Sequence, residues 1–157
     1  MSHLRKQAIA GLTTGDTFTV SRTFTKEDVS QFAAISRDYN PIHFDKRFTT
    51  AKNLDGPICH GLLVAGLITE IGGQIGWLAS GMNFSFKKPV YIGETIQCVM
   101  TITALDERGR AEAEAVFTNA DNSVVLRAVI FGIIPGSREK KVMQEMIEAG
   151  DPTNKIF

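Results

Sequence analysis

The chain has 157 residues, 43% of them hydrophobic and 22% charged, the length and balance of one folded domain with a substantial core. Lys plus Arg and Asp plus Glu number 17 each, so no net field steers the protein toward nucleic acid or an acidic membrane. Two cysteines, Cys59 and Cys98, have neither C-x-x-C nor zinc spacing, and the first residues hold no signal-like apolar run. The expectation is a cytoplasmic protein with reduced thiols.

Residues 16–24 alternate, with Phe18, Val20 and Phe24 on one face and threonines and a serine on the other, the pattern of a half-wet strand. Thr25 with Asp28 three residues on resembles a capping box, and Val29, Phe32, Ala33 and Ser36 then recur at helical spacing, predicting a helix over 26–36. Residues 37–60 hold no period and are punctuated by Pro41, Asn53, Gly56 and Pro57. So long an irregular connection in a compact domain is usually functional, and this one carries two of the three histidines, His43 and His60; His3 lies in a start expected to be mobile.

Residues 61–78 read GLLVAGLITEIGGQIGWL, with Glu70 the single charge. The stretch is at the short edge for a membrane span, where a mid-span carboxylate would be costly; a helix buried in a core is expected instead. A short strand follows around Phe84 and Phe86. Residues 94–105 alternate cleanly, as do 111–118, and 124–134 are largely apolar; tight turns at 106–109 and 119–122 make the last three strands an antiparallel meander. Residues 137–149 read as a charged helix with Val142, Met146 and Ala149 on one side, and DPTNKIF as a loose tail. The fold class is α+β: an antiparallel β-sheet of about five strands wrapped around one long central helix. The boundaries expected are 1–136 for this domain and 137–157 for the terminal helix and tail.

The chemistry concentrates at S-R-D-Y-N-P-I-H, residues 36–43, followed by Phe44 and Asp45, and at P-I-C-H-G-L-L, in which Gly61 comes 18 residues after His43. In a straight strand Asp38 and His43, five apart, would point to opposite faces. Pro41 biases Asn40 away from helix, and Asn40 can hold a turn through its side chain, which brings the carboxylate and the imidazole to one side. Gly61 opens the buried helix, where main-chain N–H groups have no internal partner and suit a developing oxyanion.

These residues resemble the motif of the MaoC-like dehydratases and (R)-specific enoyl-CoA hydratases, close to D-x-N-P-[apolar]-H-x-D with a later H-G; Arg37 stands where that family often has glycine. The resemblance covers residues 16–135. It implies a hot-dog fold, and a homodimer that hydrates trans-2-enoyl thioesters of coenzyme A or acyl carrier protein, or dehydrates in reverse, with no cofactor and no metal. It assigns Asp38 and His43 to water and the substrate carbon, and the Gly61 N–H to the thioester oxygen. A base for water, a proton for the α-carbon and a cradle for enolate charge are what the reaction needs. Asn40 is expected to support the bound substrate, and the small-residue helix face of Thr69, Gly72, Gly73 and Gly76 to line the acyl tunnel.

Other readings rest on other residues. A thioesterase of the same fold would direct water with a carboxylate such as Glu70, and a non-catalytic acyl-thioester-binding module would need no acid–base pair. Asp38, His43 and His60 have metal-ligating side chains, but their spacing matches no zinc motif. Cys59 beside His60 reads as a packed thiol rather than a nucleophile, His60 as a packing residue or a site residue, and Lys87 and Lys88 as solvated or as attracting coenzyme A phosphates.

Overall fold

The computed structural model describes residues 3–155. The alternation in the sequence becomes a five-stranded antiparallel sheet in the order β1-β3-β4-β5-β2, with β1 Thr17–Thr23, β2 Leu78–Phe86, β3 Thr95–Leu105, β4 Arg110–Thr118 and β5 Val124–Ile133. Register aligns one inward row across all five strands: Phe18 opposite Met100, Met100 opposite Ala115, Ala115 opposite Ala128, Ala128 opposite Phe84. Large side chains at the flanks and alanines on β4 and β5 make a concave floor. Ile68, Ile71 and Ile75 of the central helix share one core cluster with these residues, and burial of such side chains is worth roughly 1.5–3 kcal/mol each.

The 61–78 segment departs from a single helix. It forms α4 Gly61–Ala65 and α5 Leu67–Ile75, joined at Gly66, whose N–H is shared between the Leu62 and Leu63 carbonyls. A Cβ at Gly66 would lie 2.9 Å from the Leu63 carbonyl oxygen, so only glycine fits this tightened turn. The helix ends early at Gly76, which adopts φ 73°, and the strand expected near Phe84 starts already at Leu78.

Helix α2, Lys26–Ser36, begins at the expected capping box: the Thr25 side chain accepts from the Asp28 N–H while the Asp28 carboxylate accepts from the Thr25 N–H. The irregular 37–60 stretch holds a 3₁₀ turn at Pro41–His43 and a short α3, Lys46–Ala51. His3 belongs to a helix, α1 His3–Ala10, rather than to a mobile start.

In α6, Ser137–Glu148, Met143 is the buried residue and Val142 is exposed, so the packed face is rotated from the one expected. The tail is not loose over its described residues: the Arg5 guanidinium pairs with the Asp151 carboxylate, donates to the Thr153 hydroxyl, and caps α5 by donating to the Gly73 and Gln74 carbonyls. Residues 151–153 thereby clasp α1 to α5. The last two positions of the tail, 156 and 157, lie outside the described residues.

Candidate active site

Helix α2 stops at Arg37, a left-handed residue with φ 59° whose N–H donates to the Ala33 carbonyl. This conformation is unfavourable for residues with a Cβ, which gives a physical reason for glycine before the aspartate. The reversal places Asp38 in a loop that holds itself by Asx turns. The Asp38 N–H donates to the Ser36 hydroxyl, Asp38 Oδ1 accepts from the Asn40 N–H, and Asn40 Oδ1 accepts from the Ile42 N–H. Asn40 therefore caps the 3₁₀ turn that carries His43.

His43 is buried and Asp38 half exposed. The His43 Nδ1–H donates to the Ile58 carbonyl at 2.8 Å, leaving Nε2 as an acceptor that faces Asp38 Oδ2 at 3.7 Å. That separation is long for a direct bond and suits two acceptors sharing one water. Burial pushes the His43 imidazole below its ordinary 6.5, and a charge on His60 would do so further, against the bond to Ile58 and the Asp38 carboxylate. The unprotonated Nε2 of His43 is thus poised to accept a proton.

Segment 58–61 docks against this pair. The Ile58 N–H donates to the Ile42 carbonyl and the Cys59 N–H to the Val90 carbonyl. His60 is buried, stacks on His43 with ring centroids 3.8 Å apart, and donates from Nε2 to the Asp38 main-chain carbonyl at 3.0 Å. Gly61 follows at the first turn of α4, its Cα against the Phe86 ring, which a Cβ would meet at 2.6 Å.

His43 and Gly61 line one cavity of about 490 Å³ together with Val64, Phe86, Lys87 and Val90. His43 also lines a second, of about 520 Å³, with Lys26, Ser30, Phe44 and Tyr91. The structure thus brings together Asp38, Asn40, His43 and Gly61. Thr69 stands apart, in a cavity of about 630 Å³ with Phe32, Ile35, Glu70 and Gly73, and Gly72 faces Trp77, with 3.8 Å from a Cβ to the Trp77 Cβ. Glu70 lines that separate cavity and not the one shared by His43 and Gly61.

Ligating atoms of Asp38, His43 and His60 lie within 4.8 Å of one another. Imidazole lone pairs lie in the ring planes, and these two rings are stacked with an interplanar angle of only 28°, so their lone pairs run side by side instead of converging as a tetrahedral site requires. Burial pushes the Cys59 thiol up to about 11 and the Cys98 thiol to about 12; neither is a nucleophile. The one contact pattern that residue spacing does not reveal is that of His60, which touches both Asp38 and His43; its only sequence signal is its place directly before Gly61.

A family model described as MaoC like domain matches residues 13–125. The (R)-specific enoyl-CoA hydratase of Aeromonas caviae is 36% identical over 100 residues, covering 61% of this chain and 75% of that protein. The mitochondrial 3-hydroxyacyl-[acyl-carrier-protein] dehydratase of Arabidopsis thaliana is 28% identical over 130 residues, 79% of this chain and 78% of that protein. The solved structure of the A. caviae (R)-hydratase involved in PHA biosynthesis superposes with a TM-score of 0.74 at 29% identity, covering 80% of this chain and 98% of that one. The antiparallel sheet around a central helix is the hot-dog fold of these relatives.

Proposed function

The chain belongs to the MaoC-like domain family, and from that membership and the geometry of its site we propose that it is a hydro-lyase, an (R)-specific enoyl thioester hydratase, running in reverse as a 3-hydroxyacyl thioester dehydratase. The observation that carries this reading is the pairing of His43 Nε2 with Asp38 Oδ2 at 3.7 Å, beside a cavity that Gly61 also lines. A water held by both acceptors adds its oxygen to C3 of the enoyl chain. As that bond forms, the C2=C3 pair of electrons moves toward the thioester carbonyl. The acid–base pair, acting as a unit, takes one proton from the water and returns one to C2. The Gly61 N–H, free of an intrahelical partner in the first turn of α4, donates to the thioester oxygen while it carries enolate charge.

The carrier, coenzyme A or acyl carrier protein, enters by the Gly61 cavity, whose rim holds Lys87 and Lys88. Small residues at Thr69, Gly72 and Gly73 receive the distal part of longer acyl chains. The active form is a homodimer. Loss of the enoyl absorbance of crotonyl-CoA on mixing with the purified protein tests the reading. Release of free thiol without loss of enoyl absorbance would replace it with a thioesterase, and binding without either change with a non-catalytic module.

A further inference from the structure

We propose that His60 is a positioning residue for this reaction, holding the Asp38 carboxylate and the His43 imidazole on a common water through its Nε2–H bond to the Asp38 carbonyl and its stack on His43. The inference rests on the hydratase reading of those two residues.

His60 is 2% exposed and commits one nitrogen to the Asp38 carbonyl. The other, Nδ1, is buried without a hydrogen-bond partner among the described residues, and desolvating such a group is unfavourable. As mere filler between Phe32, His43 and Phe44, an apolar ring would pack without that penalty. What the imidazole provides is a donor aimed from the interior at the loop that carries Asp38.

The placement of that donor completes a pattern. The two reacting side chains come from opposite ends of the 38–43 turn, and both are anchored to the single segment 58–60. Ile58 holds the His43 end, by accepting from Nδ1 and donating to the Ile42 carbonyl. His60 holds the Asp38 end. Gly61 is the next residue. One short segment thus fixes the carboxylate, the imidazole and the main-chain donor relative to one another. The bonds of the Asp38 loop to Ser36 and Asn40 are local and exposed; they link it to the turn that carries His43 but not to segment 58–61.

The titratable groups facing His60 are Asp38, from the loop after α2, and His43, from the 3₁₀ turn; α2 and the residue after the turn present the rings of Phe32 and Phe44. Burial is the largest cause of the lowered His43 value, so loss of packing would also raise its inflection, and recovery by a correctly placed amide donor is the readout that separates positioning from packing.

The test is steady-state hydration of crotonyl-CoA across pH by the full chain and by three variants, with melting temperatures on the same preparations. His60→Phe keeps a stacked ring and loses the donor. His60→Gln places an amide N–H where Nε2 was, and His60→Asn carries the same amide too short to reach. Misplacement of catalytic groups by an ångström can cost about 10²-fold, so kcat in His60→Phe is expected to fall about 10–100-fold with KM little changed. His60→Gln should recover most of the loss and His60→Asn should not. If His60→Phe does not fold, the Gln against Asn comparison decides. Wild-type kcat in folded His60→Phe, or equal activity of the Gln and Asn variants, overturns the inference while leaving the hydratase reading intact. A wild-type protein inactive on crotonyl-CoA removes both.

Discussion

Asp38→Asn keeps the size of the side chain and removes the base; His43→Gln keeps some hydrogen bonding and removes the titrating ring. General acid–base groups contribute about 10²–10⁴-fold, so each variant is expected to lose turnover in that range while melting within a few degrees of wild type. Because both hold one water, the double variant should be little worse than the poorer single one. Near-normal turnover in either folded variant would take that residue out of the mechanism. His43 also carries a pH signature. Its folded pKa lies below the unfolded 6.5, chiefly through burial, so the folded state binds fewer protons. Its contribution to stability is complete above about pH 6.5 and is lost as pH falls through the folded value. Melting temperature should therefore drop more steeply below pH 6.5 in wild type than in His43→Gln. The pair itself was legible in the sequence because a proline and an asparagine between two reactive groups dictate a turn. The left-handed Arg37 was not, since nothing in an arginine signals φ 59°. The role of His60 is not legible in the sequence because its partners are set by tertiary packing.

At the scale of elements, α2 delivers Asp38 and its start was written in the residues: Thr25 and Asp28 form the capping box where the sequence places it. Burial works to raise the Asp28 carboxyl, but the bonds from Thr25 and Arg22 hold it below the usual carboxylate value. Thr25→Ala should cost about 0.5–2 kcal/mol, read as a lower denaturant midpoint with unchanged turnover in the folded protein. The central helix was legible in its apolar run but not in its break, because Gly66 inside such a run gives no sign that the turn will tighten. Helix α1 is not legible in the sequence because it is short and lacks a strong apolar stripe, packing instead through the buried Leu4, Arg5 and Ala8. The face of α5 bearing Thr69, Gly72 and Gly73 carries a specificity prediction. The Gly66 turn lies between Gly61 and Thr69, which line different cavities, so a short acyl chain does not reach that face. Neither Gly72 nor Gly73 has positive φ, and a Cβ there meets at most Trp77 at 3.8 Å, an ordinary contact, so both positions accept a Cβ. Gly72→Leu and Gly73→Leu should leave crotonyl-CoA turnover unchanged and lower kcat/KM for long-chain enoyl thioesters. An unchanged chain-length profile in both would place the acyl channel elsewhere.

For the molecule as a whole, the sheet's edges decide how it assembles. Strand β1 and strand β2 are its two margins. The β2 residues, LASGMNFSF, contain no charge and no proline, and Leu78 and Phe86 are 70% and 55% exposed. A nine-residue edge with no charge and no proline, its pairing irregular only between Ala79 and Gly81, invites pairing with another chain. Antiparallel pairing of β2 with the same strand of a second copy closes that edge by a two-fold axis and forms no open-ended filament. The same pairing sets the sites of the two copies beside the interface, since Phe86 at the end of β2 also lines the Gly61 cavity. Sedimentation equilibrium at micromolar concentration should therefore return twice the 17.2 kDa chain mass. Asn83 lies exposed in the middle of the strand, and Asn83→Lys combined with Leu78→Lys would bring like charges together across the axis, at little cost to the isolated fold because both positions face solvent. This variant should sediment as a monomer at low salt, regain the dimer as salt screens the repulsion, and lose specific activity in parallel with dissociation. A wild-type protein that sediments at the mass of one chain while fully active would overturn the dimer.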